Sequence, residues 1–298
     1  MKCQAQFFSI FAAAMLTLPA FAADGASGIT GVRWGKNAFN FEPMSSGPQP
    51  LRNLSRRPDG TGNATQLVGD YHNPILKPET AAVVKQKGEL AIAGQGFPNA
   101  QDQCRPVAPP FTFAMQLSLQ MLPKNDGDIT IIYGQDNNVR HVRMNGTHPE
   151  NLVPSPMGDS VGRWEGDTLV IDTMGIKTDA FTSVDRFGTP RSDAMRVIER
   201  YRLIDGALAK SAQDKYEKAE GAVGGGARFS GVNPDTSLKG LQLELTVEDP
   251  KVFTGPLTVL VTYRRLITEW QEQVCAENPV EYYKDQWIGL PKADQPDF

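Results

Sequence analysis

The feature that most constrains this chain is a series of segments in which apolar residues recur at every second position. The clearest runs Leu241, Leu243, Leu245 and Val247 against Gln242, Glu244, Thr246 and Glu248. A period of two places alternate side chains on opposite faces of an extended strand, so one face can be buried while the other meets water. The same pattern predicts strands over 111–120, 129–133, 139–144, 161–165, 168–173, 195–203, 257–267 and 268–275. Residues 135–138 (Gln-Asp-Asn-Asn) and Gly166-Asp167 supply turns between neighbouring strands. No helices alternate with these strands, which excludes a parallel α/β fold. The expectation is a mainly β fold, an antiparallel β-barrel of lipocalin-like architecture that curls around its own apolar face.

The rest of the chain surrounds that barrel. Residues 23–75 are rich in Gly, Pro, Asn and Ser and carry Arg52, Arg56 and Arg57 before Pro58-Asp59-Gly60. They read as an irregular arm, mobile in part, lying over a barrel domain that spans 76–298. Pro78, followed by Thr80 to Lys85, predicts a short helix with proline in its first turn. Lys210, Asp214 and Lys218 fall at helical spacing within an insertion at 207–239, which then passes through Gly224-Gly225-Gly226. That insertion reads either as a lid or as a solvated excursion.

The N-terminus sets the compartment. Lys2, the apolar stretch from Phe7 to Leu18, the break at Pro19 and the small-x-small Ala20-Phe21-Ala22 form a secretory signal peptide over residues 1–22. The expected mature protein is periplasmic or secreted and is not inserted in a membrane. Cleavage removes Cys3 and leaves Cys104 and Cys275. In an oxidising space these read as a disulfide, with a nucleophilic thiol as the alternative.

Composition narrows the chemistry. A formal charge of −4 disfavours nucleic acid as a partner, and three His and three Cys leave few ligands for a metal. No phosphate-binding glycine loop, nucleophile elbow or Cys-x-x-Cys pair is present, so no cofactor is expected. What stands out are charges placed with apolar neighbours. Glu199 shares a strand face with Val197 and Tyr201, and Arg265 shares one with Val261 and Tyr263. A carboxylate facing a barrel interior must be paired or hold its proton, so Glu199 and Arg265 are candidates for one interior site flanked by both tyrosines. His148 lies in the loop 145–149, before the hairpin that carries Arg163 and Trp164, and Asp159 or Asp172 could orient it as a general base. His141 shares a face with Val139 and Arg143, while His72 sits beside Tyr71 in the arm and could cover a cavity mouth.

Several runs follow one another in a recognisable order: Cys104-Arg105-Pro106, then 139–149, then 157–173, then 197–203, 247–250 and 275–278. They resemble a family of secreted bacterial proteins marked by an R-W-E-G-D-T-L-V-x-D-T hairpin core. The resemblance covers roughly 75–280 and implies the same compartment and the same domain limits. Its polar positions match His148, Asp159, Arg163, Trp164, Glu165, Asp167, Asp172, Glu199, Arg200 and Asp249. The residues after Leu203, through Lys239, form an insertion relative to that pattern.

The functional expectation is a cofactor-independent acid/base enzyme, a lyase or isomerase acting on a small hydrophobic or aromatic molecule. His148, Glu199 and Asp172 would move or orient the proton. Arg163, Trp164, His141, Arg265, Tyr201, Tyr263 and His72 would hold the substrate. The alternative is a periplasmic binding or carrier protein with the same barrel and no chemistry.

Overall fold

In the computed structural model, which describes residues 28–97, 99–101, 104–116, 118–134, 138–220 and 231–268, the alternating segments become the strands of one sheet. These are β1 (Arg33–Gly35), β2 (Glu42–Pro43), β3 (Leu119–Pro123), β4 (Ile129–Tyr133), β5 (Val139–Met144), β6 (Asp159–Glu165), β7 (Thr168–Met174), β8 (Arg196–Ile204), β9 (Gly240–Glu248) and β10 (Leu257–Arg265). Strands β3 to β10 pair in chain order, and β1 sits between β3 and β10 to close the ring. The molecule is therefore mainly β, a closed nine-strand barrel consistent with a lipocalin-like architecture. Strand β2 continues the β10 edge beyond β1, through Val259↔Pro43 and Leu260↔Glu42. Every pair is antiparallel except β5–β6, which is parallel at Val142↔Ser160 and Met144↔Gly162.

The alternation fills the barrel. Leu241, Leu243, Leu245 and Val247 point inward and are fully buried, as are Val259, Val261, Ile131, Met121, Leu169, Ile171 and Val197. Each such side chain contributes about 1.5–3 kcal/mol of transfer free energy. At the β6–β7 hairpin, Glu165↔Thr168 is the last pair and Gly166 takes φ +63°. That is the left-handed conformation a two-residue hairpin of this kind asks of its first loop residue.

Three helices are described: α1 (Pro78–Ile92), α2 (Phe111–Ala114) and α3 (Gly206–Glu220). Helix α1 runs past the expected segment to Ile92. Helix α2 corrects the expected strand over 111–120. Phe111, Thr112, Phe113 and Ala114 are all buried, so the residues that alternation would turn to water are not exposed, and among the described residues of the segment only 119–120 join the sheet. The Phe113 carbonyl is bonded outside the sheet, by Lys36 Nζ at 2.6 Å.

The arm is also more than a cover. Its β1 closes the barrel, with Trp34 fully buried and its Nε1 donating to the Ile29 carbonyl at 2.9 Å. Glu42 accepts the Thr262 backbone N–H and hydroxyl, both at 2.9 Å, which ties β2 to β10. Helix α3, the helical part of the 207–239 insertion, packs on the barrel. Ala209 and Gln213 are buried, and Gln213 Nε2 donates to Gly35 O at 3.2 Å and Thr262 O at 3.0 Å, across the β1–β10 seam.

Residues 1–22, the glycine run 224–226, Cys275 and the strand expected beyond 268 lie outside the described residues. Among the described residues no helix is long and apolar enough to cross a membrane.

Burying Lys36 has a pH consequence. Desolvation, as the largest cause, drives its ammonium from 10.5 to about 7, against the attraction of Glu42. Below pH 7 both the folded and unfolded chains carry this proton, and the folded state bears the full cost of burying the charge. Between pH 7 and 10.5 the unfolded chain binds more protons at this site, so stability rises with pH. Urea midpoints of the wild type should therefore climb across that window more steeply than those of Lys36→Met; equal slopes would contradict the assignment.

Candidate functional site

The expected site residues divide among three places. Inside the barrel, β8 turns Glu199 inward and β5 turns Arg140 inward to meet it. The two form a bidentate pair, Nη1–Oε1 and Nη2–Oε2 both at 2.6 Å, and Tyr201 donates its hydroxyl to Oε2 at 2.7 Å. Arg140 and Glu199 are at most 1% exposed. Burial is the largest single effect and works against the Arg140 cation, yet Glu199, with Tyr133 and Tyr201 adding to it, holds the guanidinium above its ordinary pKa. Burial, as the largest cause, also pushes the Tyr201 and Tyr263 hydroxyls well up. This network is closed off by the apolar side chains around it.

Arg265, expected beside Glu199, is not part of it. It pairs in register with Trp34 across β10–β1, its guanidinium 5.9 Å from the indole ring. The inward carboxylate was legible from alternation. Its partner carried the same signal, since Arg140 and Val142 share a buried face of β5.

On the outer face, the parallel β5–β6 pairing requires a crossover over residues 145–158, and His148 belongs to it. Asn145 opens that segment with φ +57° and donates its N–H to Gly162 O at 2.7 Å. His148 Nδ1 lies 2.6 Å from Asp159 Oδ2, and Nε2 lies 3.7 Å from Asp172 Oδ1 without a hydrogen bond. Each aspartate has its own arginine. Arg143 Nη2 is 2.8 Å from both oxygens of Asp159. Arg196 grips Asp172 through Nε at 2.9 Å and Nη2 at 2.5 Å. The chemistry available is a histidine oriented by a carboxylate within a ladder of alternating charges. His148 and Asp172 thus come together as expected, but the barrel wall separates them from Glu199.

The remaining outer-face residues serve the sheet surface. Arg163 and Arg200 both bond Glu165, Arg163 through Nε at 2.9 Å and Arg200 through Nη2 at 2.6 Å. His141 is exposed, with Nδ1 3.5 Å from the Thr130 hydroxyl. Trp164, by contrast, lies on the core side of β6 with its register partner Leu169 and is half-buried against the core cluster. Asp249 receives the Ser192 N–H at 2.7 Å and its hydroxyl at 2.6 Å, a strand-end role.

The third place is a cleft of about 650 Å³ between the arm and the end of α3, with Phe41, Arg52, Arg56, His72, Tyr216 and Glu220 in its wall. Arg56 Nη1 donates to the α3 carbonyl Ala219 O at 2.6 Å. Glu220 accepts Asn40 Nδ2 at 3.1 Å and Asn53 N at 3.3 Å. Burial raises its carboxyl pKa, with those two bonds pulling the other way. His72 stacks obliquely on Tyr71, ring centroids 4.2 Å apart. Four separate stretches of chain build this wall, so alternation along any one of them carried no signal of it beyond the placing of His72 in the arm. Comparison of the chain with protein-family models, curated proteins and solved structures finds no match.

The interior pair makes a sharp prediction. Glu199→Ala would leave Arg140 buried without its counter-charge and should cost about 3–5 kcal/mol in chemical denaturation. The double replacement Arg140→Met, Glu199→Leu should recover most of that loss. A Glu199→Ala protein as stable as wild type would show that the pair is not the internal brace described.

Proposed function

We propose that this is a periplasmic or secreted small-molecule binding protein, exported by residues 1–22, whose ligand occupies the cleft beneath the arm. The ligand class is a small hydrophobic or aromatic molecule bearing an acidic group. One observation carries this reading: the cleft of about 650 Å³ combines Phe41, Tyr216 and four prolines with Arg52 and Arg56. Clefts of roughly 300–1,000 Å³ with apolar walls and a few polar anchors are the usual form of small-molecule sites. An arginine gives such a site a planar cation that matches a carboxylate or sulfonate. The barrel supports the reading as a rigid scaffold, because Glu199 is already satisfied by Arg140 and Tyr201.

The test uses 1-anilinonaphthalene-8-sulfonate, an anionic aromatic probe whose emission rises on burial. Saturable enhancement is expected with the wild-type chain. Arg52→Glu, an exposed substitution on the cleft wall, should weaken it by about tenfold or more, equivalent to about 1.4 kcal/mol. Enhancement that Arg52→Glu leaves unchanged would remove the cleft from consideration.

A second reading, acid/base catalysis, is favoured by the 2.6 Å contact between His148 and Asp159. It predicts that chromatography of a mixture of small aromatic acids and esters, incubated with the protein, reveals a product. His148→Gln should abolish that product while probe binding in the cleft persists. Product formation at the wild-type rate in His148→Gln would eliminate this second reading.

A further inference from the structure

A second, smaller cleft, about 180 Å³, has Arg105, Lys177 and Arg191 around it and Asp179 as the carboxylate in its described wall. It shares no wall residue with the cleft beneath the arm. Asp179 is already engaged, taking Arg105 Nη1 on Oδ2 at 2.7 Å and the Phe181 N–H on Oδ1 at 2.9 Å.

Arg191 is different in kind. It is only 7% exposed, and its hydrogen bonds go to neutral carbonyls: Nη2 to Lys177 O at 2.8 Å and Nη1 to Pro109 O at 3.4 Å. Its Nε has no hydrogen-bond partner. Burial lowers its pKa to about 10, with Asp179 opposing, so the group stays cationic at neutral pH. A buried cation that bonds no carboxylate is costly, and that cost falls when an anion enters beside it.

The charges in the described wall sum to an excess of two positive. We propose that this cleft binds a phosphate dianion, free or as a monoester, with Arg105 and Lys177 at its rim and Arg191 as the fixed charge behind it. Two positive charges in excess match a dianion, where a carboxylate would neutralise only one. Guanidinium groups also suit the oxygens of a tetrahedral oxyanion. The cleft is well below the roughly 300–1,000 Å³ of sites that enclose a drug-sized ligand. It has room for a phosphoryl group and the first atoms of an ester, with Pro106 and Pro156 offering apolar contact.

The experiment is calorimetric titration of the full chain with inorganic phosphate and, separately, with phenyl phosphate, each at fixed ionic strength against chloride. Saturable binding of at least one is expected. Lys177→Glu, at an exposed side chain, should weaken it by at least about tenfold, and Arg105→Gln should weaken it in the same direction. Comparable affinity for both probes would support recognition of the phosphoryl group alone, and a preference for phenyl phosphate would support an ester whose body rests on the prolines. Arg52→Glu in the other cleft should leave phosphate binding unchanged, which separates failure here from failure of the proposed function. Absence of binding by both probes, or an affinity that Lys177→Glu does not alter, overturns the proposal.

Discussion

Closure of the barrel is the constraint on which the rest of the structure depends. Around a closed ring, each antiparallel pairing reverses the strand direction, and the ring joins only if the reversals are even in number. Nine strands therefore cannot be antiparallel throughout. The one parallel pair, β5–β6, is where this chain meets that requirement. A parallel pair cannot be joined by a tight turn and needs a crossover of about a dozen residues or more. Residues 145–158 provide it, and they bring His148 between Asp159 and Asp172. The charged ladder on the outer face is thus a consequence of strand parity as much as of local sequence.

Inside the ring, a different balance holds. Burying an arginine and a glutamate costs several kcal/mol of hydration for each ion, which is offset only by good geometry and further hydrogen bonds. The Arg140–Glu199 pair has both, with two bonds at 2.6 Å and a third from Tyr201. Satisfied on this scale, Glu199 braces β8 against β5. Under the proposed binding function, recognition falls to the loops and arm outside the ring, a common division between a rigid scaffold and the segments it positions.

The parts of the fold that were legible share a physical cause. Strands β8, β9 and β10 pack one face on the core and show the other to water or to a thin covering layer, so their residues alternate in sequence as they do in space. Phe111–Ala114 failed the same reading because all four residues are buried, and alternation has no meaning where both faces are covered. The arm's role was hidden for a related reason. A closing strand of three residues, Arg33–Gly35, is too short to display a period, and its identity depends on edges about 85 and about 230 residues away in the chain.

The site shows the same split. Alternation alone determined that Glu199 faces inward with Val197 and Tyr201, because side-chain direction in a strand is a local property. Glycine at 166 likewise determined a tight hairpin. Which arginine meets Glu199, which aspartate holds His148 and which four segments enclose the cleft at Arg52 and His72 were decided only by the tertiary structure. Those are relations between strands and loops far apart in sequence, set by how the ring closes and in what register, and no local pattern of residues encodes a distance across a barrel.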